Sequence, residues 1–234
     1  AQGFVASREI AARTVLAGGV LVDGMVIDKP ARMISTGARI EVEKPARFVS
    51  RSGEKLSAAL DRFQVDPQNK TGLDVGCSTG GFTDCLLQKG ARHVYAVDVG
   101  YGQFDWKLRQ DPRITLLERT NMRFVDRTVI PEPIDLAVID VSFISLTLVL
   151  PRVVSLLNEN SIVIALVKPQ FEVGRAHVGR GGIVRDDGQR LAAAEKVRRC
   201  ALQLGLSVIG ALDSPVRGRK GNREILVGFK RENA

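Results

Sequence analysis

Asp74, Gly76 and Gly80 fall in the stretch Leu73-Asp74-Val75-Gly76-Cys77-Ser78-Thr79-Gly80-Gly81-Phe82-Thr83, which reads as a strand end, a glycine-rich turn and the first turn of a helix. Glycines at such a turn let the backbone approach a ligand closely and adopt dihedral angles that a β-carbon forbids. A second acid, Asp98, ends the segment His93-Val94-Tyr95-Ala96-Val97 about 20 residues on, and that context raises the turn from ordinary geometry to a candidate cofactor site. The order D-x-G-x-x-x-G differs from the nicotinamide fingerprint G-x-G-x-x-G, and no Lys-Ser or Lys-Thr follows to grip a triphosphate. Two further charges follow apolar runs abruptly, Asp140 after Leu136-Ala137-Val138-Ile139 and Lys168 after Ile162 to Val167. A charge in such a place lies at a cleft rim or is paired, because burying it alone is expensive.

The elements that must position these residues alternate strand and helix, the pattern of a doubly wound α/β sheet. Strands are expected near 71–75, 93–98, 114–117, 134–139, 162–167, 206–212 and 224–229, and helices near 81–89, 103–109, 145–157 and 187–204. Ligands of open α/β sheets sit beyond the carboxyl ends of the strands. That edge collects Asp74, Gly76, Asp98, Asn121, Asp140 and Lys168. The last two strands are joined by turn residues (Pro215, Gly218, Gly221) and no crossover helix, so they pair as a hairpin and make a seven-stranded mixed sheet with one antiparallel strand. Ahead of the first strand, Leu56, Ala59, Leu60 and Phe63 mark the apolar side of a helix that also carries Lys55. Residues 1–44 form a small α+β module: a helix opened by Ser7-Arg8-Glu9-Ile10 and stopped at Gly18-Gly19, then a hairpin turning at Asp23-Gly24, with further extended segments at Met33-Ile34 and 39–42. Residues 45–50 read as a linker to a second domain over 51–234.

The glycine turn resembles motif I of the S-adenosylmethionine-dependent methyltransferases of Rossmann-like fold. The resemblance implies S-adenosyl-L-methionine as cofactor, held by Asp74, Gly76, Ser78, Thr79, Gly80 and Phe82, with Asp98 on the ribose hydroxyls and Asn121 and Asp140 close by. The pattern S-R-E-x-A-A-R, then Ala-Gly-Gly, Val-Leu-Val-Asp-Gly and Lys29-Pro30 resembles the S4 RNA-binding domain. It implies RNA contacts by Ser7, Arg8, Arg13, Lys29 and Arg32. An S4 domain opens with a helix before this one, and only Ala1 to Ala6 precede it here, so the module is read as lacking that helix.

The frame as a whole is similar to the ribose 2'-O-methyltransferases related to the heat-shock protein FtsJ. Their lysine, aspartate, lysine, glutamate tetrad falls on Lys55, Asp140, Lys168 and Glu224. Together with the S4-like head, these motifs resemble the TlyA, or hemolysin A, family of bacterial ribosomal RNA methyltransferases. The resemblance implies methylation of a ribose 2'-hydroxyl, of cytidine, in 16S or 23S RNA within ribosomal subunits. Lys168 is then the candidate base, Asp140 its orienting partner, and Glu224 holds Lys55 or the ribose.

The remaining features exclude several other classes. With 34 Lys and Arg against 26 Asp and Glu, the chain carries a formal charge of +8, which favours an anionic partner, either nucleic acid or an acidic membrane surface; the resemblance to the S4 domain and the TlyA family implies RNA and not DNA. Cys77, Cys85 and Cys200 form no CxxC pair, and with two histidines there is no ligand set for a metal, so a reducing cytoplasm fits best. Ile162 to Val167, the longest apolar run, is too short to span a bilayer, which speaks against a membrane-lytic protein. A base-nitrogen methyltransferase would carry prolines after its fourth strand, where this chain has Asp140-Val141-Ser142-Phe143. A non-catalytic RNA-binding factor is opposed by the intact tetrad. Cys77 reads as a small filler, and Arg175, Arg180 and Arg185 lie in a basic loop near the proposed site.

Overall fold

In the computed structural model, which describes residues 7–16, 20–27, 29–42, 47–218 and 220–232, the chain divides into two units, Ala1–Arg47 and Phe48–Ala234. In the first, α1 (Arg8–Leu16) precedes a three-stranded antiparallel sheet of β1 (Val20–Val22), β2 (Met25–Val26) and β3 (Ile40–Val42), in the order β2-β1-β3. Asp23 and Gly24 turn the hairpin with φ of +52° and +78°, the left-handed geometry that Asp-Gly favours. Met33-Ile34, expected to be extended, joins no ladder. Met33 is fully in solvent, so pairing there would bury nothing.

The second unit runs α2 (Ser52–Phe63), β4 (Thr71–Val75), α3 (Gly81–Gln88), β5 (His93–Val97), α4 (Trp106–Arg109), β6 (Ile114–Leu117), β7 (Ile134–Ile139), α5 (Leu150–Leu156), β8 (Leu157–Val167), α6 (Pro169–Glu172), α7 (Asp187–Gln203), β9 (Leu206–Asp213) and β10 (Ile225–Arg231). Its seven strands lie in the order β6-β5-β4-β7-β8-β10-β9. β10 runs antiparallel to both neighbours, β8 and β9, while β4 to β8 are parallel to one another. The expected mixed sheet with a terminal hairpin is therefore present.

Both faces of the sheet are covered, which explains why its central strands are apolar almost throughout. Leu73, Val75, Tyr95, Val97, Ala137 and Ile139 face the layer of α5 and α7. The alternate residues Val94, Ala96, Leu136 and Val138 face α2 and α3 through Leu56, Leu60, Phe82 and Leu86. At its far end α2 rests Phe63 on two glycines that pair across β9 and β10, Gly210 and Gly228. A Cβ on either would come within 3.0 and 2.9 Å of the ring.

Two helices differ from expectation. The helix near 103–109 shrinks to α4, because the Asp105 carboxylate caps it by accepting from Lys107 N at 2.9 Å. The segment 145–157 splits into a 3-10 turn at Leu146–Leu148 and the separate α5, which starts around Pro151, a residue that favours the first turn of a helix. No helix among the described residues is long and apolar enough to cross a membrane.

Candidate active site

Beyond the carboxyl ends of β4, β5 and β7 lie two cavities that share Gly76, Ser78, Asp140 and Ser142. The larger, about 480 Å³, has a mostly apolar wall that includes Val97, Val99, Met122, Val141 and Ile144, with Asp98, Gln103, Thr120 and Asn121 as its polar groups. The smaller, about 350 Å³, is lined by Ser50 to Ser52, Lys55, Thr79, Phe82, Lys168 and Arg217 besides the shared residues.

The turn between β4 and α3 shapes both. Gly76 has φ +83°, and a Cβ there would come within 2.6 Å of the Asp140 carbonyl oxygen. Only glycine lets the ends of β4 and β7 approach this closely. Ser78 is also left-handed, at φ +48°, and its N–H donates to Asp98 Oδ2 at 2.8 Å while Gly100 N donates to Oδ1 at 2.7 Å. Two backbone donors thus fix Asp98 in the cavity wall, and its remaining lone pairs stay available as acceptors.

Asp74 lies elsewhere than expected. It is fully buried beneath the turn, where Oδ2 accepts from Thr83 N (2.9 Å) and Thr83 Oγ1 (2.7 Å), and it lines neither cavity. Among the described residues its Oδ1 has no partner. Burial pushes the carboxyl up to about 7, helped by the nearby charges of Asp140 and Asp98 and opposed by the bonds from Thr83. Asp74 holds the turn from below. Gly80 (φ +93°) is likewise beneath the surface, packed against Leu108 and Phe104. Thr79 and Phe82 line the smaller cavity, so of the turn residues it is Gly76 and Ser78 that reach the larger one. Burial pushes the Cys77 thiol far up, which disfavours its thiolate.

The four tetrad positions form two ion pairs. On α2, Lys55 Nζ donates to Glu224 Oε2 at 2.5 Å, with side chains 10% and 2% exposed. At the ends of β7 and β8, Lys168 Nζ lies 2.6 Å from Asp140 Oδ1, off the direction of a hydrogen bond, and donates to Ser142 Oγ at 2.8 Å. Lys55, Asp140 and Lys168 line the smaller cavity, and Glu224 stands behind Lys55. The loops that carry Asp140 and Lys168 are joined again further on. Phe143, left-handed at φ +64° and exposed, meets Phe171 with ring centroids 5.0 Å apart. Buried Glu172 accepts from Ser145 Oγ (2.5 Å) and Leu146 N (2.7 Å).

In the first unit, Ser7 and Arg8 are exposed at the start of α1, and Lys29 and Arg32 are exposed between β2 and β3. Arg13 lends its backbone to α1, but its side chain lies outside the described residues. Sequence reasoning did not single out Ser142, the apolar wall of the larger cavity, or Ser50 to Ser52 and Arg217. Ser142 was within reach, two residues past Asp140; most of the others stand on irregular segments or at the very end of an element, where no periodic signature marks them.

A family model for FtsJ-like methyltransferases matches residues 48–231, and one for the S4 domain matches residues 1–40. The chain is 42% identical over 231 residues to the 16S/23S rRNA (cytidine-2'-O)-methyltransferase TlyA of Mycobacterium tuberculosis, covering 98% of this chain and 86% of that protein. The chain belongs to the TlyA/hemolysin A family. Hemolysin A of Brachyspira hyodysenteriae, another TlyA-family relative, is 40% identical, with 98% of this chain and 96% of that protein covered. The solved structure of a hemolysin-type protein of Streptococcus thermophilus is 42% identical with a TM-score of 0.80, covering 100% of this chain and 86% of that one. The TlyA-family fold extends to more distant methyltransferases, such as NodS of Bradyrhizobium japonicum (16% identity, TM-score 0.55), a likeness of fold alone.

Proposed function

We propose that the chain transfers the methyl group of S-adenosylmethionine to the 2'-hydroxyl of a cytidine ribose in ribosomal RNA. The observation that carries this reading is the meeting of the two cavities at Gly76 and Asp140, with the Lys168–Asp140 pair at the junction and Lys55–Glu224 in the wall beyond. The larger cavity suits an adenosine: apolar side chains for a flat ring, and fixed acceptors at Asp98 for two hydroxyls. When bound, S-adenosylmethionine supplies an electrophilic methyl carbon on a sulfonium.

A ribose hydroxyl is a far weaker acid than any side chain at neutral pH, so its proton must be removed or shared as the oxygen attacks. Lys168 is the group for this task. Asp140 and Ser142 hold two sides of its amine, which leaves the third for the hydroxyl; once Lys168 has given a proton to solvent, that third position takes the hydroxyl proton as the oxygen attacks the methyl carbon. Asp140 orients Lys168 and contributes negative charge beside the cationic donor. Lys55, held by Glu224, presents its ammonium to the ribose or its phosphate. The S4-like unit, with Arg8, Arg13, Lys29 and Arg32, serves to recognise the RNA. The names of the M. tuberculosis and C. jejuni relatives, both cytidine-2'-O-methyltransferases of ribosomal RNA, support the substrate.

Transfer of a tritiated methyl group to ribosomal subunits, followed by mapping of the product, tests the proposal. A 2'-O-methylcytidine is the expected product. A base-methylated nucleotide, or no incorporation into either subunit, would sink it.

A further inference from the structure

Two tight turns lie side by side, the second next to the smaller cavity, and each has a cation at its corner. In the first, Gly182 N donates to Gly179 O and Gly179 N to Ile183 O, both at 3.0 Å, with Gly181 and Gly182 at φ +80°. Arg180 occupies that corner, exposed. In the second, Gly221 N donates to Gly218 O at 2.7 Å and Gly218 N to Asn222 O at 2.9 Å, with Gly221 at φ +94° and Lys220 exposed at its corner. Main-chain bonds and glycines at positive φ close both turns at their ends.

Asn222 ties the turns together. It is 2% exposed, its Oδ1 accepts from Val184 N at 2.9 Å, and its Nδ2 donates to Gly182 O at 2.8 Å. The carboxamide stands in for a peptide group and pairs with the first turn as a neighbouring strand would. The Lys220 ammonium lies against that turn, 3.7 Å from where a Cβ on Gly182 would stand. The second turn also abuts the tetrad. Arg217 lines the smaller cavity, and a Cβ on Gly218 would run into Glu224 Oε1.

The charges here differ from those inside the cavity. Lys55 and Lys168 each face a carboxylate, whereas among the described residues Arg180, Arg217 and Lys220 have none within ion-pair distance. Exposed cations on closed turns, without a carboxylate partner among the described residues and beside a paired catalytic set, suit an anionic chain that arrives from outside.

We propose that the two turns form a single lip that grips the phosphodiester backbone of RNA next to the ribose being modified, with Asn222 joining them into one unit. The proposal rests on the RNA reading above and adds to it a second RNA-contacting surface, on the unit that carries the tetrad. The contact is to phosphates, so it positions the strand without reading its sequence.

The test compares the parent chain with Arg180→Ala/Lys220→Ala and with Asn222→Ala. A labelled RNA oligonucleotide is titrated across a salt series, S-adenosylmethionine binding is measured by calorimetry, and methyl transfer to ribosomal subunits is followed at varied subunit concentration. For the double variant, the slope of log affinity against log salt should shrink by about one to two units. KM for subunits should rise, with cofactor affinity at the parental value. Asn222→Ala keeps every cation and should still raise KM, and Asn222→Asp, which retains only the bond from Val184 N, should fall between it and the parent. If Asn222→Ala does not fold, the double variant of exposed residues decides alone. A double variant with parental slope and parental KM overturns the lip, as does a loss seen with phosphatidylserine vesicles and not with RNA. If the parent methylates no ribosomal RNA, the ribose reading falls, and the RNA titration still decides the lip by itself.

Discussion

The two cavities that meet at Gly76 are made of opposite materials. One is a mostly apolar slot in which Asp98 is pinned to the wall by two backbone N–H groups, and Asp140 is shared with its neighbour. The other is walled by cations, and each lysine in it is matched by a carboxylate. An uncharged ring with hydroxyls suits the first; a sugar in an anionic polymer suits the second. Because the shared floor is the Gly76 and Asp140 backbone, a change in either wall should leave the other cavity in place. Variants can therefore separate cofactor binding from chemistry.

The largest separation is expected from Lys168→Ala. Loss of a general base lowers turnover by about 10²- to 10⁴-fold, while calorimetry should show cofactor affinity near the parental value. Cofactor affinity that collapses together with turnover would mean that the cavities are not independent. Glu224→Gln leaves Lys55 buried without its counter-charge, and breaking a buried pair this way costs about 3–5 kcal/mol. Denaturant unfolding should show that loss, and Lys55→Met/Glu224→Gln should recover part of it. Asp98→Asn acts on the other cavity. It removes a charged acceptor, worth about 1.5–3 kcal/mol, so S-adenosylmethionine should bind roughly 10- to 100-fold more weakly. Turnover at saturating cofactor should change far less.

The last effect concerns Asp74, which lies beneath the turn that both cavities share and alters neither wall. Burial raises its carboxyl to about 7, whereas an unfolded chain sheds that proton near pH 4. Between those values the folded state binds more protons than the unfolded state, so stability falls as pH rises toward 7. Thermal unfolding should show a decline from pH 5 to pH 8 in the parent, with a shallower one in Asp74→Asn. Equal slopes would show that Asp74 is already ionised across this range.

The same contrast explains what the sequence revealed. The cofactor turn is contiguous from Leu73 to Phe82, and its strand, turn and helix order can be read locally, as can the apolar strands that end at Asp98, Asp140 and Lys168. The depth of each residue could not be read. D-x-G fits a carboxylate at the surface as well as one beneath it, and only the fold puts Asp74 under Thr83. The resemblance named Asp140 as the partner of Lys168 but left Glu224 between Lys55 and the ribose: Lys55 and Glu224 are 169 residues apart, and no local pattern carries such a contact. Arg217, Ser50 and Arg51 stand on irregular segments and Ser52 at the first position of α2, where polar residues look alike whether or not a cavity lies beside them. The 3-10 break ahead of α5 was missed because the apolar spacing continues through it.

Phe63, seated on Gly210 and Gly228, gives the lysine eight residues before it a mechanical dependence. The two positions are separated by about 12 Å along the axis of α2, at 1.5 Å per residue. Over that length, a tilt of roughly 5° at the seat carries the other end about 1 Å sideways, a misplacement that can slow a reaction about 100-fold. The pairing of Lys55 with Glu224 is in this sense levelled from the opposite end of the helix. Two missing side chains on a remote pair of strands act as its adjusting screw.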